Sequence, residues 1–172
     1  ARKARGSKAL VGRAIVRFVT AGTLTEEALL DARSSNWCCA IGEAAGGVAI
    51  AAADISTGRF ELIETSTAML AADLARIGPA ETIVAEGSSF AALAAAQRPR
   101  AEFDSQRGEC RLKSLFDVAT LNGFGSFSRA GFAAAGGLIA YLDHNGRGTL
   151  PFLRPPSIAR SNQAMAIDAA TR

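Results

Sequence analysis

One aspartate stands at the end of an apolar run and could serve metal-dependent hydrolysis. Asp54 lies in the stretch AAADISTGRFELIE, residues 51–64. A nuclease of the ribonuclease-H type holds two metal ions about 4 Å apart with several carboxylates, because the attacking and leaving oxygens must both be stabilised. Asp54 could supply the first carboxylate. The later acidic residues that could join it are Glu61, Asp73, Glu86 and Asp104.

The pattern around these acids does not bring them together. Glu61 lies on an alternating strand, Asp73 on the polar stripe of a helix, and the other two beside turns. The stretch DISTG is itself typical of a turn, in which Asp54 accepts backbone amide hydrogen bonds and Gly58 supplies the conformation of the reversal. The sequence therefore favours a structural role for Asp54 and predicts no catalytic residue and no metal ligand.

The cysteines point to neither a disulfide framework nor a zinc site. Cys38 and Cys39 are adjacent, so a strand would direct them to opposite faces, and Cys110 is left over. Only His144 could join them as a nitrogen ligand. We therefore predict buried or idle thiols, which fits a protein of the reducing cytoplasm.

Composition indicates one helix-rich domain without a membrane span. The chain has 172 residues, of which 49% are hydrophobic but only 6% aromatic, so alanine makes up much of the apolar content. The most apolar windows, residues 46–53 and 130–142, are shorter than the roughly 20 residues that a membrane helix needs.

Positive charge is concentrated at the start of the chain. The net charge is +3, and six Lys and Arg residues lie in the first seventeen positions. Residues 10–19 alternate in the manner of a half-exposed strand, on which Arg13 and Arg17 are candidates for contact with DNA phosphates. A solvated edge or tail is the alternative. The absence of a start methionine and of a signal-peptide core favours a chain cut from a longer one.

The order of elements predicts the fold class. Three strands come first, separated by the turns AAGG and STG, and they form an antiparallel meander whose middle strand is buried on both faces. Helices and strands then alternate, and a last helix opens at Ser128. The predicted elements are strands 37–43, 48–55 and 59–65, a helix with the apolar stripe Leu70, Leu74 and Ile77, strand 81–86, helix 88–96, strand 100–104, a helix capped by Asp104 or Ser105, and the last helix.

This order is ribonuclease-H-like. We therefore predict an α/β fold with a mixed sheet of about five strands and helices on both faces. The pair Gly136-Gly137 in the last helix is predicted to let that helix lie close to the sheet.

Five stretches resemble, in order, successive parts of bacterial MutS, the DNA mismatch-recognition ATPase. They are VRFVTAGTLTEEALLDARSSN, DISTGRFEL, TLNGFGSFSRAGFAAAGGLIAYL, LPFLRPP and IDAATR. The resemblance implies that residues 1–20 close a mismatch-recognition domain and 21–35 form a linker. It implies further that 36–148 are a connector domain and that 149–172 are an exit segment and the start of a core or lever domain.

The resemblance also implies what this stretch lacks. A complete MutS-like protein carries a Phe-x-Glu wedge for the mismatch and a P-loop for ATP, and neither pattern occurs here. We expect no cofactor in this chain, whereas the full-length protein it resembles uses ATP and Mg, binds mismatched DNA and forms a homodimer. Two residues depart from the family pattern: Ala21 replaces a proline, and Gly131 replaces a glutamate that would complete a capping box with Ser128.

A docking surface is the expected functional feature. With Leu112, Leu115 and Phe116 facing inward, the helix after Asp104 exposes polar residues, and the resemblance implies that this domain docks MutL, the downstream repair ATPase. The predicted partner-binding residues are Arg107, Cys110, Arg111 and Ser114. Two alternatives remain: a DNA-backbone-binding module that uses the basic N-terminal segment, and a metal-dependent ribonuclease-H-like nuclease.

Overall fold

The computed structural model describes residues 36–146, 148 and 150–160. The predicted strand at 10–19, the linker at 21–35 and the helical start at 163–172 lie outside the described residues. Three α-helices and six strands are described, together with 3₁₀ turns at Ala91–Leu93 and Arg100–Phe103. The elements are β1 (Trp37–Ala44), β2 (Gly47–Asp54), β3 (Arg59–Thr65), α1 (Leu70–Ile77), β4 (Glu81–Ala85), β5 (Ala96–Arg98), α2 (Ser105–Phe116), α3 (Arg129–Gly146) and β6 (Ser157–Arg160). Within this described part, no helix combines the length and the hydropathy required to cross a bilayer.

The strands form one mixed sheet in the order β5-β4-β1-β2-β3-β6. β1, β2 and β3 are antiparallel neighbours, whereas β4 and β5 run parallel to β1, and β6 runs parallel to β3. The first turn is a two-residue hairpin in which Ala45 and Gly46 both have positive φ, as a type I′ turn requires. The predicted mixed α/β sheet is confirmed, with one strand more than expected because β6 adds to the edge of β3.

The sheet separates two hydrophobic cores. One core lies against α3 and contains Leu138, and the other lies against α1 and contains Leu70 and Leu74. Every residue of β2 after Gly47 is buried, as its continuous apolar run predicted. Helices therefore cover both faces of the sheet.

The adjacent cysteines enter different cores, as predicted. Cys38 belongs to the core beneath α3 and Cys39 to the core beneath α1. Burial raises the pKa of the Cys39 thiol to about 12, with a smaller contribution from the carboxylate of Glu61, and burial likewise raises the pKa of Cys38. Both thiols are therefore protonated at neutral pH, whereas Cys110 is exposed.

Glycines set how closely α3 approaches its neighbours. A Cβ atom on Gly42 of β1 would lie 2.3 Å from the backbone nitrogen of Ala134, so the close contact between sheet and helix is made at Gly42. Gly136 instead faces Gly108 of α2, where an added Cβ would lie 2.7 Å from the Gly108 Cα atom. The prediction that Gly136-Gly137 serves contact with the sheet is therefore wrong: Gly136 packs against α2, and Gly137 packs against the ring of Phe103.

The predictions for residues 88–104 are wrong in two places. The predicted helix at 88–96 is a 3₁₀ turn followed by the first residue of β5, because its alanines bury little surface and the backbone N–H of Ala95 bonds instead to the carbonyl of Thr82 in the sheet. The predicted strand at 100–104 is a 3₁₀ turn and N-cap, and the strand itself lies earlier, at Ala96–Arg98.

Candidate functional site

Helix α2 carries the predicted docking residues. It begins after Asp104, whose side-chain Oδ1 accepts the backbone N–H of Arg107 at 2.9 Å, so the predicted N-cap is confirmed. Leu112 is fully buried, and Leu115 and Phe116 pack at the margin of the core beneath α3. These three predicted apolar residues therefore face inward along the second half of the helix.

Three of the four predicted partner-binding residues share one open face. Arg107, Cys110 and Ser114 are all exposed, and their spacing of three and four residues places them on the same side of α2. The helix presents a guanidinium, a thiol and a hydroxyl along about two turns. We call this set the α2 face.

Arg111 is arranged differently from the other three. It is half-buried, and its Nη1 atom donates to the carbonyl of Glu102 at 2.9 Å and to the carbonyl of Gly136 at 3.1 Å. These bonds join α2 to the preceding 3₁₀ turn and to α3. Sequence reasoning missed this role because both acceptors are backbone carbonyls. The pattern of side chains along the sequence does not indicate such bonds. Contact of Arg111 with a partner stays a prediction.

A groove adjoins the α2 face on the α3 side. It has a volume of about 570 Å³, and Leu115 and Ile139 contribute apolar lining. Its rim includes Ser114 and an ion pair in which Arg98 Nη2 lies 2.8 Å from Glu102 Oε1. Much of the remaining lining is polar and includes Arg111, Asp143 and His144.

Asp54 occupies the turn that the sequence predicted. Its Oδ1 accepts the Ser56 backbone N–H at 3.0 Å and the Ser56 hydroxyl at 2.5 Å, and its Oδ2 accepts the Thr57 hydroxyl at 2.9 Å. The N–H of Gly58, at φ 72°, donates to the Asp54 carbonyl at 2.8 Å. Each carboxylate oxygen of Asp54 is thus engaged within its own turn.

The other acids that a nuclease would need are held apart. Asp104 caps α2, and Glu61 pairs with Arg59 at 2.6 Å. Asp73 was predicted on a polar stripe, but it is buried and accepts the Thr65 hydroxyl at 2.6 Å, because α1 lies against the end of β3. Over residues 36–146, 148 and 150–160, no three His, Cys, Asp or Glu side chains are placed to hold a metal ion.

The glycine-containing stretch GFGSFSR precedes α3, and glycine amides before a helix N-terminus can hold an anion. Ser128 caps the helix as predicted, accepting the Gly131 N–H at 3.0 Å. The carboxylate of Glu64 already lies at this position, where it accepts the Ser128 N–H at 3.2 Å and the Ser128 hydroxyl at 2.7 Å. The carboxylate that residue 131 does not supply is therefore provided by Glu64 of β3, from a distant part of the sequence.

The predicted nucleic-acid-binding residues, Arg13 and Arg17, lie outside the described residues. Their contact with DNA phosphates stays a prediction.

Comparison with known proteins assigns the family. The sequence profile described as MutS domain II matches residues 36–154. This chain belongs to the MutS domain II family. The matched span runs from the start of β1 through the extended segment before β6, so α2 and its exposed face belong to a MutS domain II.

Several bacterial relatives carry the same domain within a longer protein, each described as DNA mismatch repair protein MutS. The chain is 58% identical over 166 residues to that of Erythrobacter litoralis, which covers 96% of this chain and 19% of the relative. It is 52% identical to that of Zymomonas mobilis and 44% identical to that of Roseobacter denitrificans, over 100% and 99% of this chain and 20% of each relative. The chain therefore spans about one fifth of these relatives.

The Asp54 turn makes a prediction for acid stability. Burial tends to raise the pKa of Asp54, but the hydrogen bonds from Ser56 and Thr57 outweigh it, and the pKa lies below its ordinary value. A lowered pKa in the folded state contributes stability above the unfolded value of about 4, and this contribution is lost as the pH falls further. We expect Asp54→Asn to reduce the free energy of unfolding by about 1–3 kcal/mol at pH 7.

The difference between the two proteins should shrink as the pH falls from about 4 through the lowered pKa of the folded state, since the Asp54 carboxylate is progressively protonated over this range. Urea titrations at pH 7 and at successively lower pH measure it. A difference that stays constant across this range would show that the carboxylate charge does not stabilise the turn.

Proposed function

We propose that this chain is the non-catalytic connector of a cytoplasmic MutS mismatch-repair protein. It links a DNA-binding part to an ATPase part and offers the α2 face to a MutL-like repair protein. The match of residues 36–154 to MutS domain II supports this proposal, as does the name that the relatives share. Binding of mismatched DNA, use of ATP and Mg, and homodimer formation are proposed for the full-length protein.

The observation that carries the docking role is the contrast between the two sides of α2. One side is fixed to α3 by close contact at Gly108 and by the two carbonyl bonds of Arg111. The other side leaves Arg107, Cys110 and Ser114 exposed. A surface that is exposed and held rigidly loses little conformational entropy when a partner binds, which favours recognition.

The charge of the family-matched span favours a protein partner over a DNA backbone. Residues 36–154 contain ten Lys and Arg against twelve Asp and Glu, although the whole chain has a net charge of +3. The positive excess therefore lies outside the span. A DNA-backbone role rests on the N-terminal basic segment and predicts affinity that falls steeply with salt and disappears on deletion of residues 1–20.

The docking proposal is tested by isothermal titration against the N-terminal ATPase domain of the matching MutL, with and without a non-hydrolysable ATP analogue. We expect saturable binding that survives deletion of residues 1–20. Arg107→Glu and Ser114→Glu should each weaken it about tenfold, equivalent to about 1.4 kcal/mol. Both positions are exposed, so folding should be unaffected.

Arg154→Glu is the matched control, since Arg154 is an exposed arginine outside α2. It should bind as the native chain does. Equal affinity of the native chain and the Arg107→Glu and Ser114→Glu variants would place the contact elsewhere. Absence of binding in both nucleotide states would reject docking by this chain and leave the linking role.

A further inference from the structure

The carboxylate that caps α3 belongs to the sheet. In an ordinary capping box the third helical residue supplies a carboxylate to the N-cap backbone N–H. Here Gly131 holds that position, and Glu64 of β3, 64 residues away from Ser128, accepts the N–H instead. The start of α3 is thus stabilised by a group whose position β3 determines.

Gly131 leaves the space that this arrangement needs. A Cβ atom at residue 131 would lie 3.0 Å from Glu64 Oε1, a contact too close for the carboxylate to keep its place unchanged. The position of the Glu64 carboxylate therefore depends on the absence of a side chain at residue 131. A side chain at 131 would both crowd Glu64 and, if acidic, replace it.

The other side of β3 carries the segment that leaves the domain. β6 pairs in parallel with β3 from Glu61 to Glu64, and Glu64 itself stands opposite Arg160 in the register. Before β6, the backbone N–H of Arg154 donates to the Gly58 carbonyl at 2.7 Å, and Leu153 is only 5% exposed. Residues 150–160, which we call the exit segment, are therefore attached to Gly58 and to residues 61–64 of β3.

Helix α3 in turn holds α2. The backbones of the two helices meet at Gly108 and Gly136, and Arg111 bonds from α2 to the Gly136 carbonyl. Backbones packed this closely transmit strain, so a movement of α3 is passed to α2.

We propose that β6, β3 and the Glu64–Ser128 cap form a relay that couples the position of the exit segment to the first turn of α3. Displacement of β6 shifts the strand end that carries Glu64, and the cap of α3 loosens. This gives a physical route from the exit segment to the α2 face. The purpose of the relay rests on the proposed connector function, but its existence does not.

Hydrogen exchange on the 172-residue chain alone tests the relay, without MutL, DNA or nucleotide. Ala159→Asp places a charge on the half-buried side of β6 and weakens its pairing, while Pro155→Asp places the same charge at an exposed position just before β6 as the control. The readouts are the amides of Gly131 and Phe132, which donate to the hydroxyl and the carbonyl of Ser128.

We expect Ala159→Asp to accelerate exchange of these two amides about tenfold and Pro155→Asp to leave them unchanged. The Ala95 amide, bonded to Thr82 at the far side of the sheet, is the internal reference and should not change. If Ala159→Asp also exposes the reference amide, the milder Ala159→Gly replaces it. Faster exchange in β6 with no change at α3 would overturn the relay.

A second variant separates the relay from general loosening. Gly131→Glu supplies the capping carboxylate locally and displaces Glu64, so α3 stays capped but is disconnected from β3. In this background, Ala159→Asp should no longer accelerate exchange at residues 131 and 132, and such non-additivity is the signature of coupling. An equal acceleration of exchange in both backgrounds would show that Glu64 does not couple β6 to the first turn of α3. Because no partner is present, neither result depends on whether MutL binds.

Discussion

Gly42→Ala is expected to lower the free energy of unfolding by about 3 kcal/mol, a severe loss for the exchange of one hydrogen for a methyl group. The new Cβ atom would lie 2.3 Å from the backbone nitrogen of Ala134 and 2.5 Å from the carbonyl oxygen of Ala130. These are backbone atoms of α3, which cannot rotate away. Relief requires the whole helix to move off the sheet, at the cost of its packing against β1 and β2.

Gly123→Ala is the matched control, because a Cβ atom there meets no other atom within 4 Å. Its effect should stay within about 0.5 kcal/mol. Urea unfolding followed by the fluorescence of Trp37, the single tryptophan of the chain, measures both variants. If Gly42→Ala proves as mild as Gly123→Ala, the close approach of α3 to β1 is not a tight constraint on this fold.

Arg111→Met is the second change with a large expected effect, about 2–3 kcal/mol of stability. Methionine retains much of the aliphatic stem but donates no hydrogen bond, so the carbonyls of Glu102 and Gly136 each lose a partner. The Gly136 carbonyl keeps its hydrogen bond within α3, so the cost is the loss of two charge-assisted bonds that tie α2 to its neighbours. Thermal or urea unfolding measures the loss.

The matched control for Arg111 is Arg107→Met, on the same helix and exposed. It should change stability by no more than about 0.5 kcal/mol. Equal stability of the two variants would mean that the carbonyl bonds of Arg111 contribute nothing. The difference between the two arginines also matters for the docking test. A reversed charge at Arg111 would weaken binding by destabilising the fold, whereas substitutions at Arg107 and Ser114 change only the exposed surface.

The sequence by itself determined those features that depend on neighbours along the chain. Alternation and turn residues were enough to predict the antiparallel β1–β2–β3 meander, and the unbroken apolar run was enough to predict a β2 buried on both faces. Asp104 at an N-cap and Asp54 in its turn were predictable for the same reason. Their hydrogen-bond partners lie within four residues, so the local sequence contains the whole interaction.

For the candidate site, sequence periodicity was sufficient to predict which residues of α2 are exposed. It was not sufficient to predict which side chain bonds α2 to the neighbouring elements. The spacing of Leu112, Leu115 and Phe116 identified the inward side of α2 and hence the exposed positions of Arg107, Cys110 and Ser114. The same pattern could not distinguish Arg111 from its neighbours, since a half-buried arginine bonded to distant carbonyls has the periodicity of an exposed one.

Only the tertiary structure decided the features that join distant residues. Residues 88–96 have strong helix formers but form a 3₁₀ turn and the first residue of β5, because bonding to β4 competes with a helix that would have little apolar surface to bury. Asp73 became buried because α1 lies beside Thr65, and Ser128 found its missing carboxylate in Glu64. In each case the deciding partner is fixed by the packing of sheet and helices, which local propensity and periodicity do not encode.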